Sequence, residues 1–327
     1  MSPNEHVPSM VQAGGYFPEA RGFVDGEWYY EENVRAVRLG LRLQKKLHQE
    51  KSPFQTLAVY DTTFFGKVLT LDDAVMLTER DEFVYHEMLT HLPLCSMADP
   101  KSVLIIGGGD CGCLREILKH ESVTRVVQVD IDERVTRVCE QFFPWTRQAA
   151  SDPRAELLFD DGIHYIDKSE SEFDLIIVDS TDPKGPGVVL FLSDFYQKVA
   201  RALKPGGVMV AQTETPHWQA VMMGAIYQEM RQAFPLVSSY LGWIPTYPSG
   251  CWSWAYASAS RQHGDYLDEP RAKKLESTCL YYNRDVHRGA FAQPNFVKKI
   301  LAGENPFRAL DESHRRFLLA EGALSWR

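Results

Sequence analysis

The sequence contains no long apolar run and no internal repeat. Nowhere in its 327 residues do about 18 apolar residues follow one another, which is the length that a membrane-spanning helix needs. The opening residues, MSPNEHVPSM, lack the basic flank and the apolar centre of a signal peptide. We therefore expect a cytoplasmic globular protein that has no membrane partner.

Cysteine is scarce and scattered. The six cysteines stand at positions 95, 111, 113, 139, 251 and 279, most of them inside apolar runs. This pattern is typical of reduced thiols in a cytoplasmic protein and not of a disulfide framework. Cys111 and Cys113 form a single C-x-C pair with no second cluster, so the spacing predicts no metal site.

Basic residues are also in deficit. The chain has 35 lysines and arginines against 44 acidic residues, a formal charge of −9. Sequence-independent binding to nucleic acid needs a basic surface, so we expect no nucleic-acid partner. The hydrophobic fraction of 44% and the charged fraction of 24% are ordinary for a globular enzyme of one large domain or two unequal ones.

The central motif of the chain is VLIIGGGDCGCLRE, residues 103–116. The apolar run Val103–Ile106 predicts a strand buried on both faces, and Leu114–His120 predicts a helix. Between them lies a G-x-G-x-x-G turn, formed by Gly107, Gly109 and Gly112. A strand, a glycine turn and a helix in this order begin a nucleotide-binding βαβ unit.

An acidic residue follows at the distance that such a unit requires. The second apolar run, Val126–Val129, ends in Asp130, about 20 residues beyond the glycines, where a carboxylate binds the ribose hydroxyls. The motif and Asp130 together predict a nucleoside-binding site. The alternative is an ordinary tight turn in an α/β sheet.

The first part of the chain predicts a small antiparallel β domain over residues 28–80. Residues 1–27 carry no periodic pattern and are interpreted as a mobile extension. The predicted strands are Val37–Leu43, Gln55–Tyr60, Lys67–Leu71 and Val75–Thr78.

The pattern changes after Asp81, a plausible helix N-cap. Tyr85, Met88, Leu89 and Leu92 fall on one face of a helix that leads into the central strand. The further predicted strands are Glu156–Phe159, Asp174–Val178, Val208–Gln212, Leu236–Trp243 and Trp252–Ser258, and the further predicted helices cover 134–143, 193–203 and 218–234. We expect an α/β protein with a Rossmann-like doubly wound sheet over residues 81–302, preceded by the β domain and followed by a helical extension over 303–327.

Aspartates collect at the predicted strand ends. They are Asp110, Asp130, Asp160, Asp161, Asp179 and Asp182. So many carboxylates favour cationic ligands over a pyrophosphate. A metal is the weaker alternative because no histidine or cysteine accompanies the acids at ligand spacing, and Mg²⁺ held by a few carboxylates is the form of it left open. Capping of the turn could account for one acid of the 179–182 segment, and residues 184–187 form a candidate lid.

Several strings carry a family resemblance. They are LTERDEFVYHEML (77–89), VLIIGGGD (103–110), DDG (160–162), DSTDPKGP (179–186), IPTYPSG (244–250) and YYNRDVHRGAFAQP (281–294). From about residue 28 to 301 the chain resembles the spermidine synthases, the putrescine aminopropyltransferases of polyamine biosynthesis. The resemblance implies an N-terminal β domain, a Rossmann-like domain, decarboxylated S-adenosylmethionine as aminopropyl donor without a further cofactor, and a homodimer or homotetramer.

The resemblance also implies roles for individual residues. The implied donor contacts are Gln55, Asp110, Asp130, Asp161, Gly162 and Pro186. The implied amine contacts are Tyr85, His86, Asp182 and Tyr247, with Asp110 also on the amine side, and Asp179 resembles the general base. From the residues alone, Tyr85 could instead be core, His86 a surface polar residue and Tyr247 a stiffener of its proline-rich turn.

The chain departs from the family pattern at three places. Cys111 and Cys113 stand where the family usually has glycine, and Val188-Val189 replaces a small residue and a glutamate in many members. The segment after about residue 303 extends past the usual family end. The acceptor amine therefore stays open between putrescine, cadaverine, agmatine and spermidine, and a methyltransferase or a non-catalytic ligand sensor on the same fold are the rival hypotheses.

Overall fold

The structure is a computed structural model that describes residues 21–183, 185–260 and 263–320, with the backbone alone for residues 185 and 186. Most of the predicted N-terminal extension and the last part of the C-terminal one thus lie outside the described residues. The described residues form two sheets, an N-terminal six-stranded sheet and a seven-stranded sheet covered by helices. The predicted fold class is confirmed.

The N-terminal sheet is a simple antiparallel meander in the order β1-β2-β3-β4-β5-β6. Its strands are β1 (Arg21–Asp25), β2 (Trp28–Asn33), β3 (Val37–Lys51), β4 (Thr56–Thr62), β5 (Lys67–Leu71) and β6 (Ala74–Thr78). Strand β1 lies inside the segment interpreted as an extension, and neither it nor β2 was expected from the pattern. One reason is that the inward-facing position Glu31 in β2 is polar; it is buried and accepts a hydrogen bond from the Val75 backbone N–H.

Strand β3 is longer than the predicted Val37–Leu43. The register between β3 and β4 shifts twice, between Leu43 and Lys45 and between Lys46 and His48. Each shift adds a residue that breaks the alternation of apolar and polar side chains while the ladder continues. Alternation therefore marks only the first half of this strand.

The second sheet has the order β12-β13-β11-β10-β7-β8-β9. Its strands are β7 (Ser102–Gly107), β8 (Arg125–Asp130), β9 (Ala155–Phe159), β10 (Phe173–Asp179), β11 (Leu203–Gln212), β12 (Leu236–Trp243) and β13 (Cys251–Ser258). Strands β7 to β11 pair in parallel, whereas β13 is antiparallel to both β11 and β12. Strand β11 begins before the predicted Val208, because a register shift against β10 absorbs the Pro205–Gly207 turn.

Helices cover both faces of this sheet. They are α1 (Glu82–Cys95), α2 (Gly112–Ile117), α3 (Glu133–Phe142), α4 (Pro144–Ala150), α5 (Gly162–Asp167), α6 (Ser193–Ala202), α7 (Ala220–Arg231), α8 (Glu269–Leu275), α9 (Arg284–Ala290), α10 (Asn295–Leu301) and α11 (Arg308–Ala320), with a 3₁₀ helix at Gly185–Phe191. Alternate residues of β7 enter two separate cores: Leu104 packs with α6 and α7, and Ile105 packs with α1 and α2. In the described part of the chain, no helix is long and apolar enough to cross a membrane.

Helix α1 is buried more completely than its pattern predicts. The sequence indicates one apolar face, but every residue from Val84 to Cys95 is buried. Its polar residues can be buried because they have partners. The Glu87 carboxylate accepts three backbone N–H groups, those of residues 280, 281 and 282, at 2.7–2.8 Å.

The two sheets are joined at Asp132, directly after β8. This buried carboxylate caps α3 by accepting the Arg134 N–H, and its second oxygen accepts Ser52 Oγ at 2.6 Å and Gln55 Nε2 at 2.9 Å. Residues of β4 to β6 also share an apolar cluster with α3, including Leu57 and Val135. The β domain is therefore fixed against the second sheet, at the end where the glycine motif lies.

We expect Asp132→Ala to destabilise the protein more than the loss of an ordinary helix cap. It removes a cap, worth about 1 kcal/mol, and two further hydrogen bonds of about 1 kcal/mol each. Asp268→Ala is a matched control, because Asp268 caps α8 by accepting the Arg271 N–H far from the junction of the sheets. Urea unfolding should show a loss of about 3 kcal/mol for the first variant and about 1 for the second. Equal losses would mean that Ser52 and Gln55 contribute nothing through Asp132.

Candidate active site

The glycine turn after β7 packs directly against the end of β10. Gly107 and Gly108 have positive φ angles of 87° and 69°. A Cβ on Gly107 would lie 2.1 Å from the backbone oxygen of Asp179, and that oxygen accepts the Gly108 N–H at 2.9 Å. Only glycine allows this approach, which places the Asp179 side chain beside the turn.

A cavity of about 570 Å³ opens between this turn and the β domain. Its acidic lining residues are Asp72, Asp110, Asp130, Asp161, Asp179 and Asp182. Gln55, Tyr85, His86, Gly162 and Tyr247 also line it, together with apolar side chains such as Leu69 and Met76 of the β domain. Among the described lining residues there is no lysine or arginine, so the cavity suits a cationic ligand with an apolar part.

The structure thus brings together all but one of the residues singled out from the sequence and the resemblance as donor, amine or base residues. Pro186 lies in the 3₁₀ helix beside the cavity, but its side chain is outside the described part of the chain. Asp160, also at a strand end, is exposed and does not line the cavity.

His86 lies between two carboxylates at the base of the cavity. Its Nδ1 contacts Glu82 Oε2 at 2.5 Å, and its Nε2 lies 3.3 Å from Asp110 Oδ1. Burial disfavours a charged ring, but the two carboxylates outweigh it and raise the pKa of His86 to about 10. Only 3% of the side chain is exposed, so it is no surface polar residue.

This pair continues into a longer chain of charges. Arg115 of α2 donates two hydrogen bonds to Glu82, at 2.8 and 2.9 Å. These bonds and the His86 ring overcome burial and lower the pKa of Glu82. A Cβ on Gly112 would lie within 2.4 Å of three ring atoms of His86. The last glycine of the motif is therefore required by the histidine ring.

Asp179, at the end of β10, lines the cavity. Its Oδ1 accepts the Tyr85 hydroxyl at 2.9 Å, and its Oδ2 is buried without a hydrogen-bond partner among the described residues. Burial and the neighbouring Asp110 carboxylate raise the pKa of Asp179, against the opposite effect of His86. The sequence left Tyr85 open between a core residue and a residue of the amine site. In the structure it is buried against Trp254 and also lines the cavity.

Tyr247 closes the cavity on the side of the β domain. Its hydroxyl donates to the Met76 backbone oxygen at 2.6 Å, and its ring centroid lies 5.8 Å from that of Tyr85. The loop that carries it is held by Asp81, which accepts the Thr246 N–H and hydroxyl at 3.0 and 2.7 Å. The Asp81 side chain therefore makes no cap bond to α1, contrary to expectation, because it is used by this loop and by Thr78.

The remaining acids lie at the ends of β8 and β9. Burial raises the pKa of Asp130 to about 6, although Asp130 Oδ1 accepts the Asp132 N–H at 2.8 Å. Asp161 is exposed and caps α5 through the Ile163 N–H. The Gln55 amide lines the cavity but already donates to Asp132.

Sequence reasoning missed the groups that support these residues, above all Glu82, Arg115, Asp132 and Ser52. The spacing of Glu82 and His86, i and i+4 on one helix, is a signal that could have linked that pair. Ser52 and Asp132 are eighty positions apart, and no local pattern connects them.

Comparison with known proteins places this arrangement in a family. The model of the spermine/spermidine synthase domain matches residues 82–265, and the model of the spermidine synthase tetramerisation domain matches residues 27–79. A polyamine aminopropyltransferase of Thermoanaerobacter sp. (strain X514) is 44% identical over 273 residues, 84% of this chain and 98% of that relative. The polyamine aminopropyltransferase of Thioalkalivibrio sulfidiphilus is 44% identical over 284 residues, 86% of this chain and 99% of that relative.

Solved structures agree with the sequence comparison. A spermidine synthase in complex with the transition state analogue AdoDATO has a TM-score of 0.82 and 39% identity, covering 87% of this chain and 98% of that one. The spermidine synthase of Thermotoga maritima has a TM-score of 0.80 and 38% identity, covering 87% and 97%.

The protein is a transferase with a Rossmann-like domain and an N-terminal domain of the tetramerisation type. It belongs to the spermine/spermidine synthase family and to its polyamine aminopropyltransferases, which confirms the resemblance.

The contacts of His86 predict a pH-dependent contribution to stability. Its pKa of about 10 in the folded state lies above the usual 6.5. The charged ring therefore stabilises the fold fully below pH 6.5, and this contribution is lost as the pH rises to 10. The destabilisation caused by His86→Gln should shrink over that window, by up to about 1.4 kcal/mol for each pH unit.

Denaturant unfolding of both proteins across this range measures the effect. His164→Gln is the control, because His164 is an exposed histidine on α5, and we expect little change at any pH. A cost of His86→Gln that does not vary with pH would show that the ring is neutral in the folded protein.

Proposed function

We propose that this protein transfers the aminopropyl group of decarboxylated S-adenosylmethionine to putrescine, giving spermidine and methylthioadenosine. The observation that carries the proposal is the cavity, which is lined by aspartates and two tyrosines with no described lysine or arginine. Both substrates are cationic with apolar methylene chains, and both fit such a lining. Membership of the aminopropyltransferases supports the same reaction.

The donor would lie across the ends of β7, β8 and β9. Asp130, at the end of β8, is the proposed partner of the ribose hydroxyls, and Asp161-Gly162 is the proposed contact for adenine. Gln55 and Pro186 would border the nucleoside from the β domain and the 3₁₀ helix. Asp110, which follows the glycine turn, would bind the ammonium of the transferred arm.

The acceptor would lie between the tyrosines and the acids beyond them. Tyr85 and Tyr247, with ring centroids 5.8 Å apart, would form the walls around the methylene chain. Asp182 would bind the amine end that does not react, and His86 would line the same side of the site and hold Asp110 in place. The acceptor nitrogen would then point at Asp179.

The reaction requires a base more than an acid. The carbon–sulfur bond of the sulfonium breaks without protonation, because neutral methylthioadenosine leaves, while the amine nitrogen forms the new bond to that carbon. At pH 7, freeing the lone pair of an amine with a Lys-like pKa of about 10.4 costs roughly 4.6 kcal/mol. A positioned base supplies roughly 10²–10⁴-fold, or about 3–5 kcal/mol, so one carboxylate suffices.

Asp179 is the proposed base. Its Oδ2 is buried and without a described hydrogen-bond partner, and Tyr85 holds the other oxygen. The raised pKa of this carboxyl makes it a better proton acceptor than an exposed aspartate. No cofactor is needed, because the sulfonium of the co-substrate is already activated.

We also propose that the active protein is a homodimer or homotetramer in the cytoplasm. The match of residues 27–79 to a tetramerisation domain supports the assembly. The cytoplasmic location is supported by the six cysteines, all of which are free thiols in the structure.

The product released from the donor tests the reaction. We expect methylthioadenosine with decarboxylated S-adenosylmethionine, and the fastest turnover with putrescine when cadaverine, agmatine and spermidine are compared. Release of S-adenosylhomocysteine from S-adenosylmethionine would instead show a methyltransferase. Tight donor binding with no turnover on any amine would show a ligand sensor.

We expect Asp179→Asn to fold and bind the donor but to lose roughly 10²-fold or more in turnover at pH 7. Raising the pH should partly restore the rate, because more of the acceptor amine is then neutral. Asp285→Asn is a matched control on an exposed aspartate far from the cavity, with 98% of its side chain exposed. Turnover of the Asp179 variant within a few-fold of the wild type would place the base elsewhere.

A further inference from the structure

One buried thiol, that of Cys113, lies beside two residues of the cavity lining and has no part in the proposed reaction. A ring nitrogen of His86, the Sγ of Cys113 and a carboxylate oxygen of Asp179 all lie within 4.8 Å of one another. The three residues come from α1, α2 and the end of β10. Their separation in the sequence explains why the spacing of the cysteines predicts no metal site.

The donor set points to a particular class of cation. One nitrogen, one sulfur and one carboxylate oxygen are ligands of Zn²⁺ and similar thiophilic ions, whereas Mg²⁺ prefers oxygen alone. Asp110 Oδ1, 3.3 Å from His86 Nε2, is close enough to serve as a fourth ligand. Asp179 Oδ2 accepts no hydrogen bond of normal geometry from the described residues, and the Cys113 thiol lies next to this carboxylate. An ion that displaces the thiol proton would therefore contact both groups.

The surroundings of His86 match those of a metal-binding histidine. A ligating histidine usually donates its second ring N–H to a carboxylate, which orients the ring. Glu82 holds His86 Nδ1 at 2.5 Å and is itself fixed by two hydrogen bonds from Arg115. The other ring nitrogen, Nε2, lies 3.3 Å from Asp110 Oδ1, so a bound ion would take the place of the Nε2 proton between these two groups.

A second cluster of possible metal ligands differs from the first in its charged neighbours. His91, Glu116 and Cys279 also lie within 4.8 Å of one another. There, however, Lys119 and Arg115 pair with the Glu116 carboxylate at 2.5 and 2.6 Å, and these cations oppose a metal ion. At the first cluster, the described cavity lining contains no lysine or arginine.

We propose that His86, Cys113 and Asp179 bind a thiophilic divalent cation of the Zn²⁺ class, and that the bound ion inhibits the enzyme. The ion enters through the cavity, which His86 and Asp179 line. As it binds, the Cys113 thiol and the charged His86 ring each release one proton to solvent. Inhibition rests on the proposed function, because the ion would occupy Asp179, the proposed catalytic base, and the neighbouring His86. Binding itself does not depend on that function.

Two readouts test the proposal on the full-length protein. Co²⁺ added to the protein should give a thiolate-to-cobalt charge-transfer band, which reports the sulfur ligand without any turnover. Zn²⁺ should inhibit transfer of the aminopropyl group, Mg²⁺ at equal concentration should not, and a chelator should restore the rate. Each rate is compared with the metal-free rate of the same variant.

Cys113→Ser and Cys113→Ala remove the sulfur, and Cys251→Ser is the matched control because Cys251 is buried outside the cluster. In both Cys113 variants the cobalt band should vanish and the inhibitory Zn²⁺ concentration should rise about 10-fold or more, whereas Cys251→Ser should behave as the wild type. Thermal unfolding checks that the variants fold. No thiolate band in the wild type, or a band that survives loss of Cys113, would overturn the proposed site. A Cys113-dependent band without inhibition would overturn the inhibitory role and leave the site standing.

Discussion

The constraint on which the site depends is the burial of alternating charges beneath the cavity. Arg115, Glu82, His86 and Asp110 follow one another in contact, plus, minus, plus and minus. Burying one such group alone costs several kcal/mol, and the cost is offset only where each charge has a partner and hydrogen bonds. The series joins α1, α2 and the glycine turn, so the elements around Asp179 cannot shift independently.

The cavity exists because two sheets meet at one edge. The carboxyl ends of β7, β8, β9 and β10 supply its acids, while β5, β6 and the segment before β4 supply apolar and amide groups from the opposite side. Asp132 joins the two halves, because it caps α3 and also accepts from Ser52 and Gln55. The N-terminal sheet is thus part of the site as well as the part matched by the tetramerisation domain.

The two unusual cysteines of the glycine motif lie in different environments. Cys111 has a left-handed backbone, with φ 62°, a conformation that costs most residues about 1–2 kcal/mol and explains why glycine suits the position. Cys113 has ordinary helical backbone in α2 and lies next to Asp179 and His86. A cysteine in place of glycine at position 111 thus concerns the backbone, whereas a cysteine at position 113 brings a thiol next to His86 and Asp179.

Local pattern was enough to predict the central strand, the glycine turn, the position of Asp130 at the end of the next strand, and most of the parallel sheet. Buried strands and tight turns depend on residues that are neighbours in the sequence, so a short stretch is enough to indicate them. It failed at β1, β2 and the second half of β3, where exposed edges, a buried Glu31 and register shifts remove the alternation. Only the tertiary structure brought Glu82, Arg115 and Cys113 to His86 and Asp179, and Ser52 to Asp132. Those contacts join elements far apart in the chain, and their strength comes from burial and pairing of charge, which no sequence spacing expresses.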